Sequence, residues 1–252
     1  MGQVLAVISG KGGTGKTSVC AGVAGCLCME GASVLCIDAD LGLRNLDISL
    51  GMASEASLTF TDVMQGTYTL DQAPHAAGLP GLQLLTAPVF MKPDEIDAGQ
   101  FAQLVAAAKA QYDWVLIDAP AGVGTGFSLA VNSADELLVV CLADPASQRD
   151  AARAAELALQ SRSIPARLVV NRVSPKLFQR MRATIDDVMD NVGLPLLGIV
   201  PEDADVTLAA VDGKPLCQYT YQGAGLACLH IARRLQGKRV KLMKIRRSFA
   251  GM

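Results

Sequence analysis

The sequence predicts an α/β fold in which helices flank a doubly wound, mainly parallel sheet. Short aliphatic runs without charges, beginning with residues 4–8, are typical of strands buried on both faces of a parallel sheet. At least four such runs alternate with segments long enough for helices, which is the pattern of repeated βα units. The first run also leads directly into a glycine-rich loop that opens a helix. This arrangement predicts a phosphate-binding α/β protein.

The other elements follow from the same patterns, taken in chain order. Continuous apolar runs predict further strands at residues 33–38, 82–85, 114–118, 136–142, 167–170 and 196–200. Longer segments between them predict helices at residues 19–29, 59–65, 94–111, 146–160 and 225–235, the fourth of which is rich in alanine. The first clear linker is Gln236-Gly237. We therefore expect one globular domain over residues 1–236 and a separate tail over residues 237–252.

Residues 10–18 read G-K-G-G-T-G-K-T-S, which fits the phosphate-loop pattern G-x-x-x-x-G-K-[ST]. The glycines let backbone N–H groups approach phosphate oxygens, and the helix N-terminus adds partial positive charge. Lys16 supplies a mobile cation, and the Thr17 hydroxyl is placed to bind Mg²⁺. The alternative interpretation is a glycine-rich turn with a surface lysine. The nucleotide contacts predicted in this loop are Gly12, Gly13, Thr14, Gly15, Lys16, Thr17 and Ser18.

Three carboxylates follow predicted strands, at the sheet edge where open α/β folds bind their ligands. Asp38 and Asp40 come at the end of the second strand, and Asp118 ends the strand at residues 114–118. Carboxylates beside a triphosphate repel it unless Mg²⁺ intervenes or one of them holds the attacking water. Asp118 therefore fits a Walker B position beside Mg²⁺, and Gly122 allows backbone to approach the γ-phosphate. A helix cap and a turn aspartate are the alternatives for the first two.

Composition suits one globular domain, since the 252 residues are 51% hydrophobic and 18% charged. The seven cysteines are odd in number and several lie in apolar runs, which favours a reduced cytosolic compartment. Cys26-x-Cys28 has no partner pair or nearby histidine at metal-ligand spacing, so core packing is favoured over a metal site. Neither a secretory signal nor a membrane-spanning helix is predicted.

Charge is divided unevenly along the chain, although the net charge is only −2. Nine basic and no acidic residues follow Asp212, so the preceding part holds 13 basic and 24 acidic residues. A basic end on an acidic body points to an anionic partner at that end.

Residues 238–252 predict a short basic amphipathic helix. With about 100° between successive residues, an apolar stripe separates from the basic side chains, as in helices that lie on membrane surfaces. A surface helix docked on the core and a disordered basic tail are the alternatives. The stripe consists of Leu242, Ile245, Phe249 and Met252, and the basic residues outside it are Lys241, Lys244, Arg246 and Arg247.

Three motifs resemble the MinD/ParA family of ATPases, whose deviant Walker A loop carries a second lysine. K-G-G-x-G-K-T starts at Lys11, D-x-D-x-G-L-R-N-L-D starts at Asp38, and D-x-P-A-G starts at Asp118. The resemblance runs nearly end to end and implies a P-loop NTPase fold. It implies that Lys11 reaches the phosphates of a partner subunit. It also implies that Asp40 positions the attacking water and that Asp38 supports the metal.

The resemblance extends to the base of the nucleotide. Asn171-Arg172 follows the strand predicted at residues 167–170, and the matching asparagine of the family pairs with the adenine edge. A turn-forming asparagine is the alternative here. Pro201-Glu202-Asp203 resembles the family's adenine-side loop. The phosphate loop departs mildly from the family at Thr14 and Ser18, where valine and threonine are commoner.

The motif that starts at Asp38 is most similar to the septum-placing members of the family. This resemblance implies a Mg²⁺-dependent ATPase that binds ATP or ADP and forms a homodimer with ATP. It implies a cytoplasmic protein, peripheral on the inner face of the cell membrane, that binds the anionic membrane surface. The implied partners are a MinC-like division inhibitor and a MinE-like ATPase activator, whereas nucleic acid is not expected.

Other functions remain open on the sequence alone. A ParA-like partition ATPase would use the basic end to hold DNA, but phosphate contacts do not require the apolar stripe. A flagellar-number regulator of the same family would also keep an amphipathic tail. A metabolic kinase or synthetase would need a second polar pocket for its substrate, and the sequence indicates none.

Overall fold

The computed structural model describes residues 2–53, 58–76 and 78–243. Within these residues, eight strands form one sheet. They are β1 Gln3–Ile8, β2 Val34–Asp38, β3 His75–Ala76, β4 Leu79–Leu85, β5 Trp114–Asp118, β6 Glu136–Cys141, β7 Ala166–Val173 and β8 Leu196–Pro201. Their order in the sheet is β3-β4-β2-β5-β1-β6-β7-β8, and every pair is parallel except β3 with β4. The predicted doubly wound, mainly parallel sheet is confirmed.

Helices cover both faces of this sheet. They are α1 Lys16–Met29, α2 Leu46–Ser49, α3 Phe60–Met64, α4 Ala98–Gln111, α5 Thr125–Ser133, α6 Pro145–Ser161, α7 Pro175–Met181, α8 Ile185–Val192, α9 Asp205–Val211, α10 Leu216–Tyr219 and α11 Gly223–Leu235. Short 3₁₀ turns lie at Leu70–Gln72 and Pro93–Glu95. One apolar core joins the sheet to α3, α4, α5, α6 and α8, and a second joins its other face to α1, α2, α9, α10 and α11.

Two predicted boundaries were wrong for local reasons. The helix predicted at residues 94–111 begins only at Ala98, because the Asp97 side chain accepts a hydrogen bond from the Gln100 N–H at 2.8 Å and caps it there. Asn171 and Arg172 do not follow their strand but lie within β7. The register of β7 against β8 shifts at this point, and Arg172 has a positive φ of 50°.

The helix predicted over residues 238–252 is wrong for the part that the structure describes. Residues 238–243 are not helical. Gly237 has a φ of 76°, and the N–H groups of Gly237 and Lys238 bond to the carbonyls of Arg234 and Arg233, which ends α11. The Arg234 guanidinium then donates to the Val240 carbonyl at 2.9 and 3.1 Å, which holds this segment against the end of α11. Lys244, Ile245, Arg246, Arg247, Phe249 and Met252 lie outside the described residues.

Cysteines pack in the core, as predicted. All seven are free thiols, six of them buried and Cys28 partly so. Within the described residues, no helix has the length and apolar character needed to cross a membrane.

Small residues set the distance between α1 and the helices behind it. A methyl group added to Gly22 would lie 2.7 Å from the Cys228 sulfur, and one added to Gly25 would lie 2.5 Å from the Cys217 sulfur. These approaches let α10 and α11 pack closely on the helix that carries the phosphate loop. The glycines of α1 are therefore packing requirements.

We expect Gly22→Val to lower the free energy of unfolding by about 1–3 kcal/mol, because overpacking must displace α11. Urea unfolding followed by circular dichroism measures this change. The matched control is Gly124→Val, where φ is −83° and nothing lies within 4 Å of an added methyl group. Equal stability of the two variants would contradict the close packing of α1 on α11.

Candidate functional site

The predicted site residues meet at the carboxyl ends of three neighbouring strands. In the sheet, β5 lies between β1 and β2, and Asp118 is in register with both Val7 and Asp38. The loop after β1 is the glycine-rich loop, so both aspartates lie beside it. This is the edge at which open α/β sheets bind ligands.

The backbone of the loop requires glycine at two positions. Gly13 and Gly15 have φ values of 78° and 80°, a region that residues with a side chain rarely adopt. Gly15 also precedes Lys16, the first residue of α1, and a methyl group added to it would collide with the Asn171 amide. The loop can therefore turn its N–H groups toward an anion at the start of α1.

A buried ion pair occupies the floor of the site. The Lys16 ammonium lies 2.5 Å from Asp118 Oδ1, and the two side chains are only 7% and 1% exposed. The Thr17 hydroxyl donates to Asp118 Oδ2 at 2.7 Å. An isolated charge at this depth would cost several kcal/mol, so the pairing is what permits both groups to be buried.

The pKa values of the two aspartates are raised. Burial, and then the neighbouring Asp118, raise the pKa of Asp38 from 3.8 to about 7. Burial also raises the pKa of Asp118, against the opposing effect of Lys16. Burial disfavours the charged form of each carboxyl, and a nearby carboxylate adds to this effect. A divalent cation at this position would stabilise both in their charged forms.

The residues present fit a nucleotide and Mg²⁺. The Thr14 hydroxyl is buried without a hydrogen-bond partner among the described residues, and it lies within the phosphate loop. In the part of the chain that the structure describes, no cluster of three or more His, Cys, Asp or Glu side chains could hold a metal alone. Mg²⁺ in nucleotide sites is commonly held by few protein oxygens together with phosphates and water. Thr17 and Asp118 supply such oxygens.

A cavity of about 310 Å³ extends from the loop toward the ends of β7 and β8. Asn171 is 5% exposed and donates its amide to the Thr14 carbonyl at 2.8 Å, which ties β7 to the phosphate loop. The predicted residues Arg172, Pro201, Glu202 and Asp203 also line this cavity. Sequence reasoning missed its apolar wall, because those residues come from α1 and the distant helices α9, α10 and α11. The wall includes Val19, Val206, Leu216, Ala224 and Cys228.

Asp203 has a structural role that the sequence did not indicate. Its carboxylate accepts hydrogen bonds from the Ala224 N–H at 2.7 Å and the Asp205 N–H at 3.0 Å. A methyl group on Gly223 would collide with the same carboxylate. Asp203 therefore fixes the start of α11 against β8, and it shapes the cavity by that contact.

Asp38 and Asp40 both bind backbone N–H groups of their own loop. Asp38 accepts from Asp40 at 3.0 Å and from Leu46, the first residue of α2, at 3.2 Å. Asp40 accepts from Gly42 at 3.0 Å and Leu43 at 3.3 Å. These contacts agree with the alternative interpretation of Asp38 and Asp40 as cap and turn residues. They do not exclude a further role, since Asp40 is only partly buried and each carboxylate has spare acceptor positions.

Lys11 makes an ion pair inside its own subunit. Its ammonium lies 3.2 Å from Asp144 Oδ1, with side chains 33% and 43% exposed. Asp144 also caps α6 by accepting from the Ser147 N–H at 2.9 Å. No sequence pattern indicated this partner, because Asp144 resembles any helix cap. Gly122, in the loop between β5 and α5, has a φ of 86°. Its N–H donates to the Ser9 carbonyl at 3.2 Å, so it lies against the start of the phosphate loop.

Comparison with known proteins finds one family, and several MinD proteins, that are similar to this chain over most of its length. Residues 5–216 match the family described as the CobQ/CobB/MinD/ParA nucleotide binding domain. The septum site-determining protein MinD of Synechocystis sp. is 37% identical over 247 residues, which cover 96% of this chain and 92% of that protein. The MinC:MinD cell division protein complex of Aquifex aeolicus contains a chain with a TM-score of 0.88 and 32% identity, covering 96% of this chain and 98% of that one. MinD of Pyrococcus horikoshii OT3 complexed with Mg-ADP has a TM-score of 0.81 and 26% identity, with coverages of 93% and 96%.

The raised pKa of Asp38 predicts a pH dependence of stability without nucleotide or metal. Between pH values of about 4 and 7, the folded protein holds a proton at Asp38 that the unfolded chain has lost. The free energy of unfolding should therefore fall as pH rises through this window, by an amount on the order of a few kcal/mol. Urea unfolding between these pH values, with a chelator present, measures the slope.

Asp38→Asn should flatten that slope, whereas Asp190→Asn, an exposed change on α8, should keep it. An unchanged slope in Asp38→Asn would contradict the assignment of the raised pKa to this carboxyl.

Proposed function

The chain belongs to the MinD/ParA family of nucleotide-binding ATPases, and from this premise we propose that it is a MinD-like ATPase that dimerises with ATP, binds the inner membrane surface and recruits a division inhibitor. The observation that carries this proposal is the set Lys16, Thr17 and Asp118 under the glycine loop, with a second lysine, Lys11, at its rim. The first three suit binding of a nucleotide with Mg²⁺. The fourth is not needed for phosphate binding within one subunit.

Nucleotide binding uses groups that are already in place. Lys16 and the loop N–H groups bind the β- and γ-phosphates, and Lys16 exchanges Asp118 for phosphate oxygens as it does so. Thr17, Asp118 and Asp38 support Mg²⁺, which supplies positive charge beside the phosphates. The cavity beyond Asn171 accepts the base. ATP hydrolysis to ADP and phosphate then requires a water molecule held in line with the γ-phosphate.

Besides Lys16, two further residues must leave their present partners before hydrolysis. Lys11 has to leave Asp144 to reach the phosphates of a second subunit, and an exposed ion pair of this kind is worth at most about 1 kcal/mol. Asp40 has to turn from the N–H groups of Gly42 and Leu43 to hold water. Both changes couple hydrolysis to dimer formation, because in the single subunit Lys11 and Asp40 are bonded to other groups and do not contact the nucleotide.

A MinC-like division inhibitor is the proposed partner. The support for it is the similarity to the chain within the MinC:MinD complex, which extends over nearly the whole of both chains. A MinE-like activator of the ATPase is proposed from the family resemblance. The membrane surface is proposed from the basic end of the chain and the stripe of residues 242–252. We place the protein in the cytoplasm, peripheral on the inner face of the membrane, with residues 1–236 as the ATPase domain and residues 237–252 as the targeting tail.

A metabolic enzyme is not favoured by the geometry. A second recess, of about 380 Å³, is lined by polar residues that include Ser33, Asp71, His75 and Tyr112. Ser33 and Tyr112 precede β2 and β5, whereas Asp38 and Asp118 end the same strands. The recess therefore opens at the opposite edge of the sheet, where a substrate could not meet the γ-phosphate.

Separate effects are expected for the two residues assigned to the dimer. Asp40→Ala should bind ATP and form a dimer that does not hydrolyse it, because only the water-holding carboxylate is lost. Lys11→Ala should bind ATP yet remain monomeric or inactive. Size-exclusion chromatography with ATP, together with phosphate release, distinguishes them.

The matched control for this experiment is Lys176→Ala, which removes a surface lysine from α7 and should dimerise and hydrolyse ATP normally. A monomeric Asp40→Ala with normal nucleotide affinity would exclude its assigned role. Normal turnover by Lys11→Ala would exclude a lysine that acts across the dimer.

We expect ATP to control membrane binding by bringing the tails of two subunits together in one dimer. One short tail binds marginally, and joining two in a dimer can strengthen binding by ~10²–10⁴ without a new kind of contact. Sedimentation with anionic liposomes, in ADP and in ATP, compares the wild type with a 1–237 truncation and with Ile245→Glu. We expect pelleting of the wild type in ATP only, and its loss in both variants.

Pelleting of the truncated protein with ATP would assign membrane binding to another surface. A wild type that ignores the liposomes but retards DNA would favour the partition ATPase instead.

A further inference from the structure

Arg44 lies in the loop that carries Asp40, and its backbone is strained. Its φ of 44° falls in a region that residues other than glycine rarely adopt. Its N–H donates to the Asp40 carbonyl at 3.3 Å, so Arg44 closes a turn around the residue proposed to hold the attacking water. Strain of this kind persists where the surrounding structure holds the residue in place.

The Arg44 side chain is bound to Thr86, and we call this contact the loop anchor. Arg44 Nη2 donates to the Thr86 hydroxyl at 2.9 Å. Within the described residues, this guanidinium forms no ion pair with a carboxylate, and its Nε is buried without a hydrogen-bond partner. The position of the guanidinium therefore depends on the Thr86 hydroxyl.

Thr86 is itself fixed on both sides by its backbone. It is 2% exposed and follows the last residue of β4. Its N–H donates to the Leu58 carbonyl at 2.9 Å, and its carbonyl accepts from the Phe60 N–H at 2.9 Å. Its hydroxyl donates to the same Leu58 carbonyl at 3.3 Å while accepting from Arg44. The hydroxyl is thus a rigid acceptor, bonded both as donor and as acceptor.

The loop of residues 39–45 is otherwise attached mainly at its two ends. Its first N–H donates to the Asp118 carbonyl at 3.0 Å, and the N–H of Leu46, directly after the loop, donates to Asp38 at 3.2 Å. Between these points the chain is exposed or half-buried, with Leu41 packed partly against the core. The loop anchor therefore restrains the part of the loop that its two ends leave free.

We infer that Thr86, acting through Arg44, is a positioning residue for Asp40 in ATP hydrolysis. The inference rests on the proposed function, in which the Asp40 carboxylate leaves the N–H groups of Gly42 and Leu43 to hold water. With the loop anchor in place, the side chain turns while the backbone stays. Without it, the turn moves together with its carboxylate and the water is misplaced. A displacement of about 1 Å can slow a reaction ~10²-fold.

Hydrogen exchange of residues 39–46 in the full-length protein without nucleotide tests the loop anchor. Thr86→Val removes the hydroxyl at nearly constant shape, whereas Thr86→Ser keeps it. We expect exchange to be roughly tenfold faster in Thr86→Val, as for the loss of a hydrogen bond to a charged group, and close to the wild-type rate in Thr86→Ser. The matched control is Thr61→Val, which removes a buried hydroxyl that contacts Thr59 at 2.9 Å. Thermal unfolding verifies that each variant folds.

Single-turnover hydrolysis of bound ATP, compared with the affinity for Mg-ADP, tests the positioning role. Thr86→Val should hydrolyse ATP at least roughly tenfold more slowly than the wild type, because the water is misplaced. It should bind Mg-ADP as the wild type does, because Thr86 does not line the nucleotide cavity. Thr86→Ser and Thr61→Val should match the wild type in both measurements. A merely structural role would not separate turnover from affinity in this way.

Equal exchange in the wild type and Thr86→Val would overturn the loop anchor, and faster exchange with unchanged hydrolysis would overturn the positioning role. A wild type that does not hydrolyse bound ATP would refute the proposed function together with that role, so the two failures are distinguishable. Arg44→Gln should hydrolyse ATP as slowly as Thr86→Val and keep its affinity for Mg-ADP. Weakened Mg-ADP binding in Arg44→Gln would assign the guanidinium to the phosphates and contradict the inference.

Discussion

The buried contact between Lys16 and Asp118 is the interaction on which the site depends. Two opposite charges lie at the carboxyl edge of the sheet, and neither could remain charged there alone at acceptable cost. Asp118 is brought there by an apolar strand, and Lys16 by a loop whose two glycines take positive φ values. In the proposed function, this pair keeps a cation ready for phosphate and a carboxylate ready for the metal. When a nucleotide binds with Mg²⁺, phosphate would replace Asp118 as the partner of Lys16, and Mg²⁺ would replace Lys16 as the partner of Asp118.

Much of this arrangement could be predicted because it depends on short segments. Apolar runs specified the central strands, and a parallel sheet brings the ends of those strands to one edge, so Lys16, Thr17, Asp38 and Asp118 could be grouped without coordinates. The family and the ATPase activity that the motifs implied are supported by relatives that match nearly the whole chain. The roles of single residues remain predictions.

The rest depends on contacts between distant segments, which local patterns do not encode. Asp144 meets Lys11 across 133 positions of sequence, although it resembles an ordinary helix cap. Asp203 anchors Ala224, whereas the sequence indicated only a place in the adenine-side loop. The apolar wall of the nucleotide cavity comes from helices near the end of the chain. A helical wheel applied to residues 238–252 could not register that Gly237 ends α11 and that Arg234 holds Val240.

Calorimetric titration with Mg-ADP tests the central claim most directly, using Lys16→Met and a matched surface control, Lys109→Met. Lys109 pairs with Asp135 at 2.7 Å but lies away from the loop, so its loss removes an ion pair without touching the site. If the buried cation is the phosphate ligand, Lys16→Met should weaken Mg-ADP binding by roughly tenfold to a hundredfold, as expected for a charged hydrogen bond, and the control should bind as the wild type does. Equal affinities for Lys16→Met and the wild type would contradict the account.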